Sequence, residues 1–276
     1  MKLGYNEATC MMKSSLEQDL ALCERYGYDL IEVRFDALER YLEHHSLKEL
    51  KGFLEHSHLS AGALNAIEPI NFLDEKSVDA LCAEIRNGCE IAKEIGAPGI
   101  VVVASNYGED VEGYTDEEIN ADTIRIFRKL APIAEEYGVK LALEPVGGKK
   151  CYVHSLKQAW DIVKEIDSPQ VGIALDAFNI YLHDEHRDID LLREIPVEKI
   201  VTYHLNDGED RPFSELDHCY RTMPGDGMFD LEKISTILRE KGYNGAAAIE
   251  LFRPQYWEMD PEEVIKLGAE KAKAYL

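Results

Sequence analysis

Glu144, Asp176, His204 and Glu250 each close a short apolar run: Leu141-Ala-Leu-Glu144, Gly172-Ile-Ala-Leu-Asp176, Val201-Thr-Tyr-His204 and Ala246-Ala-Ala-Ile-Glu250. Three carboxylates and one imidazole make an O,O,N,O donor set. That set suits one divalent ion such as Mn²⁺, Mg²⁺, Co²⁺ or Zn²⁺ better than a soft metal. A charge at the edge of a buried run is costly to leave alone, and four groups converging on one ion relieve that cost together. Such an ion polarises a carbonyl and the hydroxyl beside it. A nearby carboxylate can then remove the proton α to the carbonyl, giving an enediolate. Return of that proton elsewhere isomerises or epimerises the substrate. Glu144 and Glu250 come from non-adjacent runs and are the candidate catalytic pair, one on each face of a bound polyol. Each of the four residues alone reads more readily as a helix cap, a salt-bridge partner or a satisfied core histidine. Their joint placement is what favours a metal site.

These residues lie 32, 28 and 46 positions apart in turn, the spacing of one or two strand-helix units. The runs are short, β-prone or small-residue, and bounded by turn signals, so they read as buried strands. Strand patterns start near Leu3, Asp29, Ala61, Gly99, Val139, Val171, Ile200 and Ala246, with charge-rich segments of helical period between them. Helix starts are marked at Ser14-Ser-Leu-Glu17, Ser46-Leu-Lys-Glu49, Thr115-Asp-Glu-Glu118, Ser155-Leu-Lys-Gln158 and Asp260-Pro261. Gly27, Gly96, Gly138 and Gly242 mark helix ends. Eight such units predict an α/β fold, a single (β/α)8 TIM barrel spanning residues 1–276. An open doubly wound sheet would carry a glycine-rich first turn, and Tyr5-Asn6-Glu7-Ala8 is not one.

In such a barrel the C-terminal strand ends carry the chemistry. The four candidate ligands then share one edge, on strands 5 to 8. Asn6, Glu32, Arg34 and Asn65 share that edge and are candidate substrate contacts. A long loop, Asn206 to Gly227, follows strand 7 and adds Asp207, Arg211 and Arg221. For each arginine, pairing with the loop's own acids is an equally good reading. Pro224-Gly-Asp-Gly227 reads as a rigid turn, and Gly147-Gly-Lys-Lys150 as a solvated one. His154, His183, His186 and His218 lie in loops without a partner spacing. Trp160 reads as core, and Trp257 as a candidate cavity wall.

The chain carries a formal charge of −23, which argues against a nucleic-acid or anionic-membrane partner. A small-molecule keto-polyol is the expected partner instead. The six cysteines form no Cys-x-x-Cys pair and read as free thiols. No signal segment or membrane span is legible, so a cytoplasmic location is expected.

The residues quoted above, with Met1-Lys-Leu-Gly-Tyr-Asn-Glu-Ala-Thr9, Gly27-Tyr-Asp-Leu-Ile-Glu-Val-Arg34, Ala63-Leu-Asn-Ala66, Tyr203-His-Leu-Asn-Asp-Gly-Glu-Asp210 and Glu250-Leu-Phe-Arg-Pro254, carry a resemblance over the whole chain. It resembles the sugar isomerase and epimerase barrels related to xylose isomerase, in particular the inosose isomerase branch. The resemblance implies that Glu144, Asp176, His204 and Glu250 hold the metal and that the two glutamates transfer protons. It implies interconversion of 2-keto-myo-inositol and 1-keto-D-chiro-inositol. A ketose 3-epimerase is the nearest alternative, with a metal-dependent endonuclease or a non-catalytic sugar-binding protein behind it. Barrels of this family often pair, so a homo-oligomer is open. The sequence departs from the family at Asn179, where relatives usually carry a histidine that helps contact substrate.

Overall fold

The computed structural model describes residues 1–105, 113–147, 151–184 and 187–276. Residues 148–150 of the turn after strand 5, His186 and the His183 side chain lie outside the described residues. The expected strands appear as β1 (Lys2–Asn6), β2 (Leu30–Glu32), β3 (Ser60–Ala61 and Leu64–Ile67), β4 (Gly99–Val103), β5 (Lys140–Glu144), β6 (Val171–Asp176), β7 (Ile200–Leu205) and β8 (Ala246–Ile249). All pair in parallel with their neighbours in chain order, and β1 pairs with β8 as well as β2. That pairing wraps the sheet into the expected barrel.

Strand 3 is broken where one continuous run was expected. Its first half pairs with β2 and its second with β4. A lone parallel bridge between Arg34 and Asn65 joins the two neighbourhoods. Between the halves Gly62 passes close to β2, its N–H donating to the Ile31 carbonyl at 2.7 Å. A Cβ there would lie 2.8 Å from Glu32 Cγ and 3.2 Å from the Ile31 carbonyl oxygen. The close approach brings Asn65 to the active edge beside Glu32.

Small side chains fill part of the barrel: Ala63, Val101, Ala142 and Ala174 form a buried cluster with Val103 and Val201 packed on it. The surrounding helices bury a larger set of Leu, Ile and aromatic side chains. Ser46 and Thr115 complete the expected capping boxes, and Gly27, Gly96 and Gly138 end helices in the left-handed conformation. The first cap sits one residue later than expected: Ser15, not Ser14, accepts from Gln18 N–H. No helix among the described residues is long and apolar enough to cross a membrane.

Asp19, in the first turn of the helix Leu16–Tyr26, is buried against the barrel, and burial pushes its carboxyl up to about 7. The folded state therefore keeps a proton that an unfolded aspartic acid loses near pH 4. Stability contributed by this group falls as pH rises from about 4 to about 7. Asp19→Asn is expected to remove that decline and to stabilise the protein at pH 8 by roughly 2–4 kcal/mol. Urea melts of both proteins at pH 5 and pH 8 check this; parallel behaviour at the two pH values would contradict it.

Candidate metal centre

The parallel register puts the expected donors side by side. Asp176 and His204 are direct partners across β6 and β7, and Ala248 opposes His204 across β7 and β8. Glu144 ends β5, and Glu250 is one step beyond β8. Ligand atoms of all four residues lie within 4.8 Å of one another, and all four residues are buried. His204 Nδ1 is 3.2 Å from Glu144 Oε1, 3.3 Å from Glu250 Oε2 and 3.7 Å from Asp176 Oδ2.

Burial alone would hold the His204 imidazole neutral, but Glu250, Glu144 and Glu32 outweigh it and raise its pKa well above the ordinary value. An imidazolium therefore supplies positive charge to the three carboxylates when no metal is bound. His204 would hold an ion through Nδ1, the nitrogen that faces the three carboxylates, and would do so as the neutral imidazole. On the other ring edge, Nε2 lies 3.1 Å from Glu32 Oε2. Thr202 Oγ1 and Asn6 Nδ2 also donate to Glu32, the latter at 2.9 Å. A carboxylate behind a ligating histidine fixes the ring and its tautomer.

The three carboxylates are not equivalent. Asp176 is held well below the usual range despite burial, because the Arg221 guanidinium lies 3.0 Å away and His204 and Asn179 N–H also favour its anion. Asn206 Nδ2 donates to it at 2.8 Å. Glu250 accepts from Arg221 Nη1 at 2.7 Å and from Asn65 Nδ2 at 3.2 Å. Glu144 is pushed up to about 7, chiefly by burial, with Glu250 and Asp176 adding and His204 opposing. Environments that drive neighbouring carboxyls apart assign acid and base roles. With no metal bound, Glu144 is the carboxyl of the three that exchanges a proton near neutral pH. Three carboxylate oxygens and one imidazole nitrogen around one point fit a divalent ion by number and by chemistry.

Above this floor opens a cavity of about 390 Å³. Glu144 and Glu250 face it, as do the expected contacts Arg34, Asn65, Asn179 and Arg221. Arg221 is 1% exposed and pairs with Asp176 and Glu250 rather than with acids of its own loop.

Five expectations need correction. Asn6 and Glu32 are fully buried and do not line the cavity; their polar atoms are used behind His204. Asp207 is also removed from it. Its carboxylate accepts from the N–H groups of Gly208, Gly225, Gly227 and Phe229, which ties the two ends of the long loop together. Arg211 pairs with Glu209 at 2.6 Å and lies over the Tyr220 ring. Trp257 donates to the Ala8 carbonyl and does not line the cavity.

Sequence reasoning passed over several contributors. Thr202 was legible in principle, since residues two apart on a strand share a face with His204. Asn206, His218 and Phe252 had no local signal. His218 and Phe252 line the cavity, and Asn206 orients Asp176.

A barrel with its donors on the C-terminal strand ends defines a class of protein, and the comparisons agree. A model of the xylose isomerase-like TIM barrel family matches residues 20–275, and the chain belongs to that family. Within it the chain is similar to inosose isomerases over nearly its full length. One from Halalkalibacterium halodurans is 38% identical over 267 residues, covering 96% of this chain and 93% of the relative. One from Bacillus subtilis (strain 168) is 38% identical over 267 residues, covering 96% and 94%. A crystal structure of IolI protein with a binding zinc atom superposes with a TM-score of 0.93 at 36% identity, over 100% of this chain and 99% of that one. Fold and donor set are those of a metal-dependent enzyme of this family.

Proposed function

We propose that the protein is an inosose isomerase that interconverts 2-keto-myo-inositol and 1-keto-D-chiro-inositol through an enediolate. One divalent ion would be held by Glu144, Asp176, His204 and Glu250. The observation that carries the reading is the buried donor cluster opening into the cavity. Similarity to inosose isomerases over 96% of the chain supports the substrate class.

The residues divide the work. One glutamate takes the proton from the carbinol carbon beside the ketone, and the C–H electron pair becomes the C=C bond of the enediolate. A proton delivered to the former carbonyl carbon, with the hydroxyl proton passing between the two adjacent oxygens, moves the ketone by one position. Glu144 and Glu250 are the groups placed for both transfers. When bound, the divalent ion supplies the positive charge that stabilises the two oxygens. Asn65 and Arg221 hold Glu250 from one side of the cavity, and Asn179 holds Glu144 from the other. Asn179 cannot carry a proton at neutral pH, which leaves both transfers to the glutamates.

A substrate panel tests this. Enzyme loaded with Mn²⁺ is expected to turn over 2-keto-myo-inositol with a kcat/KM well above that for any ketohexose. A preference for a ketohexose, interconverted with its C3 epimer, would replace the reading by a 3-epimerase.

A further inference from the structure

Asn179 occupies a hinge between two groups. Its Nδ2 donates to Glu144 Oε1 at 3.4 Å, and its Oδ1 lies 3.0 Å from His218 Nε2. These contacts determine each other. A carboxylate accepts only, so the amide must turn its NH2 toward Glu144 and its oxygen toward His218. The oxygen then needs a donor, so His218 must carry its proton on Nε2. The ring is held in place by aromatic neighbours: its centroid lies 5.8 Å from Phe178 and 6.5 Å from Phe252. Burial and the nearby Arg221 guanidinium lower its pKa to about 4, against Asp217 at 3.4 Å from Nδ1, so the ring is neutral, and the closer Asn179 oxygen draws its one proton to Nε2. His218 reaches Asn179 from a different loop, 39 residues away in the chain.

Among the described residues, His204 Nδ1 and Asn179 Nδ2 are the hydrogen-bond donors to the Glu144 carboxylate. His204 is itself one of the residues that would hold the metal, so the Asn179 amide is the donor to Glu144 from outside the ligand set. We propose that His218 is a positioning residue: its Nε2–H sets the Asn179 amide and thereby orients Glu144 to hold the metal. The inference rests on the reading of Glu144 as a metal ligand.

Mn²⁺ titration followed by electron paramagnetic resonance reads the affinity directly and does not depend on the substrate. His218→Phe keeps an aromatic ring against Phe178 and Phe252 and removes the donor, and is expected to weaken Mn²⁺ binding about tenfold, within the range of such supporting contacts. His218→Gln restores an N–H donor and is expected to recover most of that loss. In an Asn179→Ala background, His218→Phe should have no further effect, because the relay is already cut. Wild-type affinity in His218→Phe would overturn the proposal, as would a full additional loss in the Asn179→Ala background. Wild-type protein that binds no Mn²⁺, or binds it equally well after Glu144→Ala, would overturn the metal reading and this inference with it. The two failures are therefore distinguishable.

Discussion

Glu144→Gln is expected to lower kcat for inosose isomerisation by about 10²–10⁴-fold, the range that a positioned general acid or base contributes. Glutamine keeps the shape and one oxygen donor but cannot take up a proton. The effect is expected in kcat far more than in KM, because Asn65, Asn179, Arg34 and Arg221 still line the cavity. Glu250→Gln is expected to fall in the same range. The two substitutions together should cost little more than the worse one alone, since turnover needs both proton steps. The check is steady-state kinetics with Mn²⁺ saturation confirmed for each variant. Retention of more than a tenth of wild-type kcat by metal-loaded Glu144→Gln would remove that residue from the proton transfers.

The second large effect is on stability. Arg221 is fully buried, 3.0 Å from Asp176 and 2.7 Å from Glu250. Its guanidinium also lies over Phe178 and Phe252. Arg221→Met fills similar volume but leaves the two buried carboxylates with His204 as their counter-charge. Breaking one side of a buried charge network costs roughly 3–5 kcal/mol. That loss is expected in the metal-free protein. Mn²⁺ should recover part of it, because an ion that binds only the folded state stabilises that state by mass action. Urea melts with chelator and with excess Mn²⁺ measure both parts. An unchanged midpoint in chelator would mean that the carboxylates do not depend on Arg221.

The barrel and its four donors were legible because they rest on local rules. Short continuous apolar runs bounded by turn signals mark buried strands, and the strand ends of a barrel share one face. Glu144, Asp176, His204 and Glu250 needed nothing more. The shell around them was not legible, because it depends on contacts between distant loops. His218 meets Asn179 across 39 residues, and Asn206 reaches both Asp176 and the Glu250 carbonyl. Glu32 sits at the expected strand end, but the close approach at Gly62 buries it behind His204 instead of leaving it on the cavity wall. Arg211 was drawn away from the site by Glu209, only two residues off, a competition that spacing alone could not decide.

The most direct measurement is proton NMR of 2-keto-myo-inositol in D₂O with Mn²⁺-loaded protein and with chelator-treated protein. Conversion to a second inosose with deuterium entering at the exchanging carbon, lost on chelation and restored by Mn²⁺, is the predicted result. Conversion that survives complete removal of the metal, or no exchange with metal bound, would contradict a metal-dependent enediolate isomerase.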